Sequence, residues 1–201
     1  MKAKNLKKLI LLLCCTGVCI LVMMSSCGDN SSDVIVIELY PEYAPGTVEN
    51  FLRLAESGFY DGVGFHRIVD DFMAQGGDPD GTGMGGSSET IFGEFASNGF
   101  TQNTLRHTKG IISMARIDDP NSASSQFFIM LADDSFLDGN YAAFGKVIEG
   151  MDIVESFQKV ERTMGLDRAI SKPVNPVTMK KVTVLNTEGN PKVQIEMEKF
   201  N

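Results

Sequence analysis

The sequence predicts a mainly β domain whose strands close into a mostly antiparallel barrel, with two helices. Three observations carry this. Short runs rich in β-branched and aromatic residues recur between turn residues, only two segments show helical spacing, and there is no internal repeat. With 43% hydrophobic and 22% charged residues, the 201-residue chain has the balance of one globular domain plus an appendage, not of a disordered polymer.

Residues 34–39 (Val-Ile-Val-Ile-Glu-Leu) are bounded by Asp33 and Pro41 and read as a strand. Thr47 reads as a helix N-cap, because Val48, Phe51, Leu52 and Ala55 follow at helical spacing and Gly58 provides a stop. Residues 62–69 form the next strand, and the glycine-rich stretch 76–88 reads as a loop. Residues 110–116 and 126–131 read as two strands joined by a polar loop through Asp118, Asp119, Pro120 and Asn121, and residues 144–147 as another. Met151, Val154 and Phe157 mark the second helix, and residues 177–184 alternate into a late strand. From Asn190 onward, Val193, Ile195 and Met197 alternate, as in an extra strand or a docking segment.

The N-terminus has a different character. Lys2, Lys4, Lys7 and Lys8 precede an apolar run of about 16 residues, short of the ~20 that span a bilayer core. Ser25 and Ser26 then lead into Cys27. This is the pattern of a secretory signal peptide over 1–26, and small residues ahead of Cys27 resemble a bacterial lipobox, in which the cysteine becomes the lipidated first residue. The other three cysteines (Cys14, Cys15, Cys19) lie inside the apolar run, so the domain itself carries no cysteine and no disulfide. Residues 27–33 read as a flexible tether from lipidated Cys27, residues 34–187 as the folded domain, and 188–201 as a C-terminal extension. The expected location is the cell envelope, lipid-anchored to a membrane and facing the periplasm or the cell surface. Cleavage before Cys27 takes the formal net charge from −8 to −12, a sign that repels phosphate backbones and argues against a nucleic-acid partner. A monomer is expected.

The densest chemistry lies in residues 65–78: Phe-His-Arg-Ile-Val-Asp-Asp-Phe-Met-Ala-Gln-Gly-Gly-Asp. This stretch resembles the signature of the cyclophilin family of peptidyl-prolyl cis-trans isomerases, Phe-His-Arg-Ile followed by Phe-Met-x-Gln-Gly-Gly-Asp. Further matches follow in order: Gly93-Glu94-Phe95, Ile112-Ser113-Met114-Ala115, Ser124 through Ile129 (Ser-Ser-Gln-Phe-Phe-Ile), Leu137-Asp138-Gly139 and Phe144-Gly145-Lys146-Val147. The resemblance covers about residues 33–186. It implies an eight-stranded antiparallel barrel capped by two helices, proline-containing polypeptide clients, and no cofactor, metal or nucleotide.

The reaction explains the residue types. Rotation about a peptide C–N bond meets a barrier of ~18–20 kcal/mol, and X-Pro bonds exchange over tens to hundreds of seconds. Catalysis requires only that the twisted amide be held better than either planar form. Twisting restores the lone pair of the prolyl nitrogen, which can then accept a hydrogen bond, and a permanently charged guanidinium is a suitable donor. The resemblance assigns this role to Arg67, with Gln75 holding the arginine and a substrate carbonyl. It places Phe72, Met73, Phe128 and Leu137 around the proline ring, Ala115 and Gln126 against the peptide backbone, and His66 at the rim. Singly, each apolar residue could be ordinary core; a charged Arg67 set between hydrophobic neighbours on a strand needs a reason.

Three positions depart from many eukaryotic family members. Phe136 replaces a Trp and lacks its indole N–H, which predicts weak ciclosporin binding; Tyr141 replaces a His at the pocket floor; Arg116 replaces an Asn beside the peptide backbone. These departures resemble a bacterial branch. Among rival motifs, Gly81-Thr82-Gly83-Met84-Gly85-Gly86 fits G-x-G-x-x-G but follows Asp78-Pro79-Asp80 rather than a strand and leads into Ser87-Ser88 rather than a helix. Asp78, Asp80, Thr82, Gly83 and Glu89 have the spacing of an EF-hand loop, yet helices do not flank them; the stretch reads as a mobile loop beside the pocket. The alternative to an enzyme is a proline-peptide-binding chaperone or scaffold, for which the apolar slot alone would suffice.

Overall fold

The computed structural model describes residues 33–185 and 189–200. The expected signal peptide, the tether up to Ser32 and Cys27 lie outside the described residues. Among the described residues there are ten strands: β1 Val34–Leu39, β2 Gly64–Val69, β3 Met73–Asp78, β4 Ile111–Met114, β5 Phe127–Met130, β6 Ala143–Glu149, β7 Arg162–Met164, β8 Ile170–Pro173, β9 Val177–Leu185 and β10 Lys192–Met197. The helices are α1 Pro45–Glu56 and α2 Met151–Ser156, the latter continuing into a 3-10 turn, Phe157–Lys159. Eight strands close a barrel in the order β1-β10-β9-β2-β3-β5-β4-β6, all neighbours antiparallel, while β7 and β8 form a separate hairpin. This is the eight-stranded antiparallel barrel with two helices that the family resemblance implied.

Strand periodicity sorts the side chains between interior and exterior. Across four adjacent strands, Ile68, Ala74, Ile129 and Ile112 stand opposite one another and are all fully buried in the barrel. On α1, Phe51 packs its ring 5.0 Å from Tyr60, 5.4 Å from Phe127 and 5.2 Å from Phe144, so the helix is bound mainly through aromatic burial. The buried stripe of α1 uses Leu54 where the sequence reading placed Leu52, which is only half-buried.

Three elements correct the sequence reading. The N-cap of α1 is Ala44, not Thr47; Pro45 opens the helix, as suits a residue with fixed φ and no N–H. Alanine cannot cap, so the carboxylate of Glu94 does so from 47 residues away, accepting from Gly46 N (2.9 Å), Thr47 N (2.8 Å) and Thr47 Oγ1 (2.7 Å). The first three residues of the expected loop at 76–88 belong to strand β3. Gly77 has φ 86 and lies so close to the carbonyl of Ser125 that a Cβ has no room, which accounts for a glycine inside a strand. Finally, of the two readings of the tail beyond 187, the extra strand is the one observed, and it belongs inside the domain. It forms β10, which pairs with β1 on one side and β9 on the other and completes the barrel. The alternation of Val193, Ile195 and Met197 is its buried face.

Candidate active site

The alternation that buries Ile68 turns its neighbour outward. Arg67 on β2 stands opposite Gln75 on β3, Gln75 opposite Phe128 on β5, and Phe128 opposite Ser113 on β4. This row lies on the outer face of the barrel wall, next to the fully buried row. A second apolar cluster covers that face: Met73, Ile111, Phe128, Met130, Leu137 and Ala143, with Phe72, Ala115 and Tyr141 packed against it. Its open end is a cleft of about 340 Å³ lined by Arg67, Phe72, Met73, Gln75, Ala115, Arg116, Phe128, Phe136, Leu137 and Tyr141. The slot residues are thus both core and surface. Met73, Phe128 and Leu137 are buried, whereas Phe136 is 82% exposed at the rim.

Ten of the twelve expected site residues therefore meet in one cleft, and two do not. Gln126 lines an adjoining cleft of about 330 Å³ with Gly85, Gly86 and Ser124. His66 does not rim the slot. As the next residue along β2 it lines a third cleft of about 400 Å³, on the other side of Arg67, together with Gly83, Met164, Leu166 and Asp167. Among the described residues neither ring nitrogen of His66 has a hydrogen-bond partner, and burial, with a smaller contribution from Arg67, holds the imidazole below its usual pKa against the pull of Asp78.

The polar connections differ from expectation at one place. The Gln75 side chain donates to Gln126 Oε1 (2.8 Å), and Gln126 donates to the carbonyl of Gly85 (2.7 Å), so Gln75 is tied to the adjoining cleft. Arg67 is held by another residue: its Nε donates to Asp167 Oδ2 at 2.7 Å, and its Nη1 lies 3.7 Å from Met73 Sδ on the slot wall. Asp167 sits between β7 and β8, in a segment with no strand or motif signal in the sequence. Arg116 is likewise fixed. Its guanidinium lies 5.1 Å from the Phe95 ring centre and 4.8 Å from that of Tyr141, and it donates to the carbonyl of Asn140.

Behind the slot, His107 Nδ1 donates to Asp138 Oδ1 (3.1 Å) and Nε2 shares a hydrogen bond with Ser113 Oγ (3.0 Å), with the ring stacked 6.0 Å from that of Phe128. The order Ser113, His107, Asp138 has the connectivity of a hydrolytic triad, but Ser113 is 0% and His107 1% exposed, so no substrate can reach them. The network instead ties the loop bearing Leu137 to the strand behind Phe128. Burial lowers the His107 pKa, and the neighbouring Asp138 only partly offsets this.

The EF-hand spacing also resolves here. The Asp78 carboxylate accepts from Asp80 N, Thr82 N, Thr82 Oγ1, Gly83 N and Gly85 N at 2.6 to 3.2 Å. Burial alone would raise its pKa; these donors outweigh burial and hold the group below its usual value. A carboxylate ringed by N–H donors is arranged as the anion of its own loop, not as a ligand for a cation.

The chain has known relatives. The family model described as cyclophilin type peptidyl-prolyl cis-trans isomerase/CLD matches residues 25–184. The Schizosaccharomyces pombe protein "Peptidyl-prolyl cis-trans isomerase ppi1" is 46% identical over 154 residues, covering 75% of this chain and 92% of that protein. A "Peptidyl-prolyl cis-trans isomerase-like 1" from Rhizopus delemar is 52% identical over 128 residues, 63% of this chain and 75% of its own. Among solved structures, a cyclophilin type peptidyl-prolyl cis-trans isomerase of Cryptosporidium parvum superposes with TM-score 0.60 at 28% identity, covering 84% of this chain and 98% of its own; the same protein was also solved in the presence of the dipeptide Ala-Pro. These relatives are eukaryotic and lend no support to reading Phe136, Tyr141 and Arg116 as marks of a bacterial branch. A family model spanning most of the sequence, and a relative matched over nearly its whole length, lead to one conclusion: the chain belongs to the cyclophilin type peptidyl-prolyl cis-trans isomerases.

Proposed function

We propose that this chain isomerises X-Pro bonds of exported proteins from a lipid anchor at Cys27, with Arg67 as the donor to the prolyl nitrogen. The observation that carries the catalytic part is a fixed guanidinium at the wall of an apolar slot: Arg67 borders Phe72, Met73, Phe128 and Leu137, and its Nη1 lies beside Met73. A proline ring seated there loses water along its apolar edges, while its amide nitrogen faces a charge that cannot be neutralised. As the C–N bond twists, the nitrogen becomes a hydrogen-bond acceptor. Arg67 then holds the twisted form more strongly than either planar form, which is the condition for acceleration. Gln75, tied to Gln126, presents a polar edge for the peptide backbone alongside Ala115 and Arg116.

The test is exchange spectroscopy by NMR on an Ala-Pro-Phe peptide. The wild-type chain accelerates exchange, and Arg67→Ala accelerates it at least a hundredfold less, about 2.7 kcal/mol of transition-state stabilisation. A wild-type chain that shifts the peptide's resonances without accelerating exchange would make the domain a proline-binding scaffold.

The location rests on the leader: four lysines, an apolar run too short to span a bilayer, and Cys27 after two serines. Outside the cytosol, slow prolyl steps limit folding beyond the reach of cytosolic helpers, which gives an anchored isomerase a use. Palmitate labelling tests the anchor. The wild-type chain incorporates label and fractionates with membranes, and Cys27→Ser does neither; equal fractionation of the two removes the anchor from the account. The domain acts as a monomer on proline-containing clients, without nucleic acid.

A further inference from the structure

Arg67 separates two clefts. One is the apolar slot; the other runs beneath the β7–β8 hairpin and is bounded by Gln75, Thr82, Met84, Met164, Leu166 and Asp167. We propose that Asp167 is a positioning residue for the isomerisation, setting the plane of the Arg67 guanidinium from the side opposite the slot. This rests on Arg67 being the donor to the prolyl nitrogen.

An arginine side chain has four rotatable torsions and loses up to about 2 kcal/mol of rotamer entropy when fixed in place. On an outer strand face, nothing in β2 itself selects one rotamer. Asp167 supplies the selection. Its Oδ2 accepts from Arg67 Nε at 2.7 Å, and the pair is only partly exposed, at 32% for Arg67 and 22% for Asp167. The guanidinium is planar, so fixing Nε–H and the chain leading to it fixes where both Nη groups point. Nη1 then reaches the slot wall at Met73.

The carboxylate is itself oriented. Asp167 Oδ1 accepts from Ser171 Oγ (2.8 Å) and Ala169 N (3.1 Å), which leaves Oδ2 for the arginine. The turn that carries it is tightly bonded, with Gly165 N donating to Ala169 O (2.8 Å) and Arg168 N to Gly165 O (3.1 Å). Arg168, the next residue, has φ 61, a left-handed conformation that a non-glycine residue adopts at a steric cost. A strained turn whose aspartate uses both oxygens inside the protein is built to hold a fixed acceptor. Because the ion pair uses Nε, it leaves the Nη donors for the reacting amide.

A residue that positions the donor without touching the peptide changes the rate of the bound complex and not its formation. The experiment uses the full chain in mild detergent with the Ala-Pro-Phe peptide. Exchange spectroscopy gives the isomerisation rate at saturation, and peptide shifts give Kd. Asp167→Ala is expected to slow the saturated rate at least tenfold while Kd stays within twofold. Asp167→Asn keeps the shape, but its amide cannot satisfy Arg67, Ser171 and Ala169 together, so it falls between the two. Asp167→Glu, which retains the carboxylate, recovers part of the rate. The Arg67 Nε–H resonance reports the geometry directly, exchanging slowly with solvent in the wild type and rapidly in Asp167→Ala. Should Asp167→Ala melt below the assay temperature, the isosteric Asp167→Asn carries the rate comparison.

A saturated rate within twofold of wild type, with the Arg67 Nε–H protection lost, overturns the inference, since the bond would then be structural only. Arg67→Ala in the same assay separates the two levels. If wild type and Arg67→Ala turn over equally, Arg67 is not the donor and the inference falls with that reading. If Arg67→Ala is inactive and Asp167→Ala is as fast as wild type, the inference alone fails.

Discussion

Ending the chain at Thr187, where the sequence suggests the domain is complete, is expected to abolish folding. The truncation removes β10, whose inward side chains Val193 and Ile195 are 0% and Met197 4% exposed. Burying three such side chains contributes roughly 1.5–3 kcal/mol each, or about 5–9 kcal/mol together. The loss does not stop there. Ile195 stands opposite Ile35 on β1 and Val182 on β9, and Val193 opposite Ile37 and Val184, so deletion opens two strand edges and wets the barrel interior. Domains of this size are typically stable by about 5–15 kcal/mol, so the removed strand accounts for most or all of the margin. Urea unfolding followed by far-ultraviolet circular dichroism measures it. The full chain shows one cooperative transition, and the chain ending at Thr187 shows none. As a graded control, Ile195→Ala lowers stability by about 2–5 kcal/mol without abolishing the transition. A truncated chain with the wild-type midpoint and denaturant slope would show that the remaining strands close without β10, and the barrel order described above would have to be abandoned.

Two further outcomes follow from named contacts. Glu94→Ala removes three accepted hydrogen bonds and leaves the N–H and hydroxyl of Thr47 buried without that acceptor; a loss of about 2–4 kcal/mol in thermal or urea unfolding is expected, whereas an effect below about 0.5 kcal/mol would mean that water caps the helix equally well. Stability also falls with acid. Burial holds His66 and His107 below their usual pKa, so above pH ~6.5 neither contributes; as pH drops through that value the unfolded chain takes up protons that the folded chain refuses, with a cost of up to about 1.4 kcal/mol per pH unit for each histidine. Asp78 and Asp167, held below the usual carboxylate range, add a second loss below pH ~4. An unfolding midpoint unchanged between pH 7.5 and 5 would contradict the histidine part.

Local pattern made much of this molecule readable. The row Arg67, Gln75, Phe128 and Ser113 is drawn from three separate motifs, and strand period alone puts each beside the next once the strands are paired. What the sequence hides is pairing over distance. The alternation of Val193, Ile195 and Met197 was visible, but that its partners are β1 and β9 depends on a closure that no local window contains. Thr47 is a good capping residue by type, yet Pro45 starts the helix earlier and a glutamate far along the chain does the capping. Asp167 carries no signal at all. Its neighbours Leu166 and Arg168 look like any surface turn, and only the fold brings it to Arg67. His66 sits next to Arg67 in sequence, but a register shift in β2 between Phe65 and Arg67 leaves it in the cleft beside the slot, so adjacency in the motif misplaced it.

The loop of residues 78–85 bears on the thermodynamics of peptide capture. Its glycines suggest a segment that would have to be frozen when a client docks, at about 1–2 kcal/mol for each backbone residue fixed. With five donors already gathered on the Asp78 carboxylate, that ordering is met when the protein folds rather than when it binds. The clefts holding Gly83 and Gly85 are then preformed on both sides of Gln75, and a short peptide meets a wall that needs no further stiffening. Amide hydrogen exchange at Thr82, Gly83 and Gly85 should accordingly be slow in the free protein and change little when peptide is added.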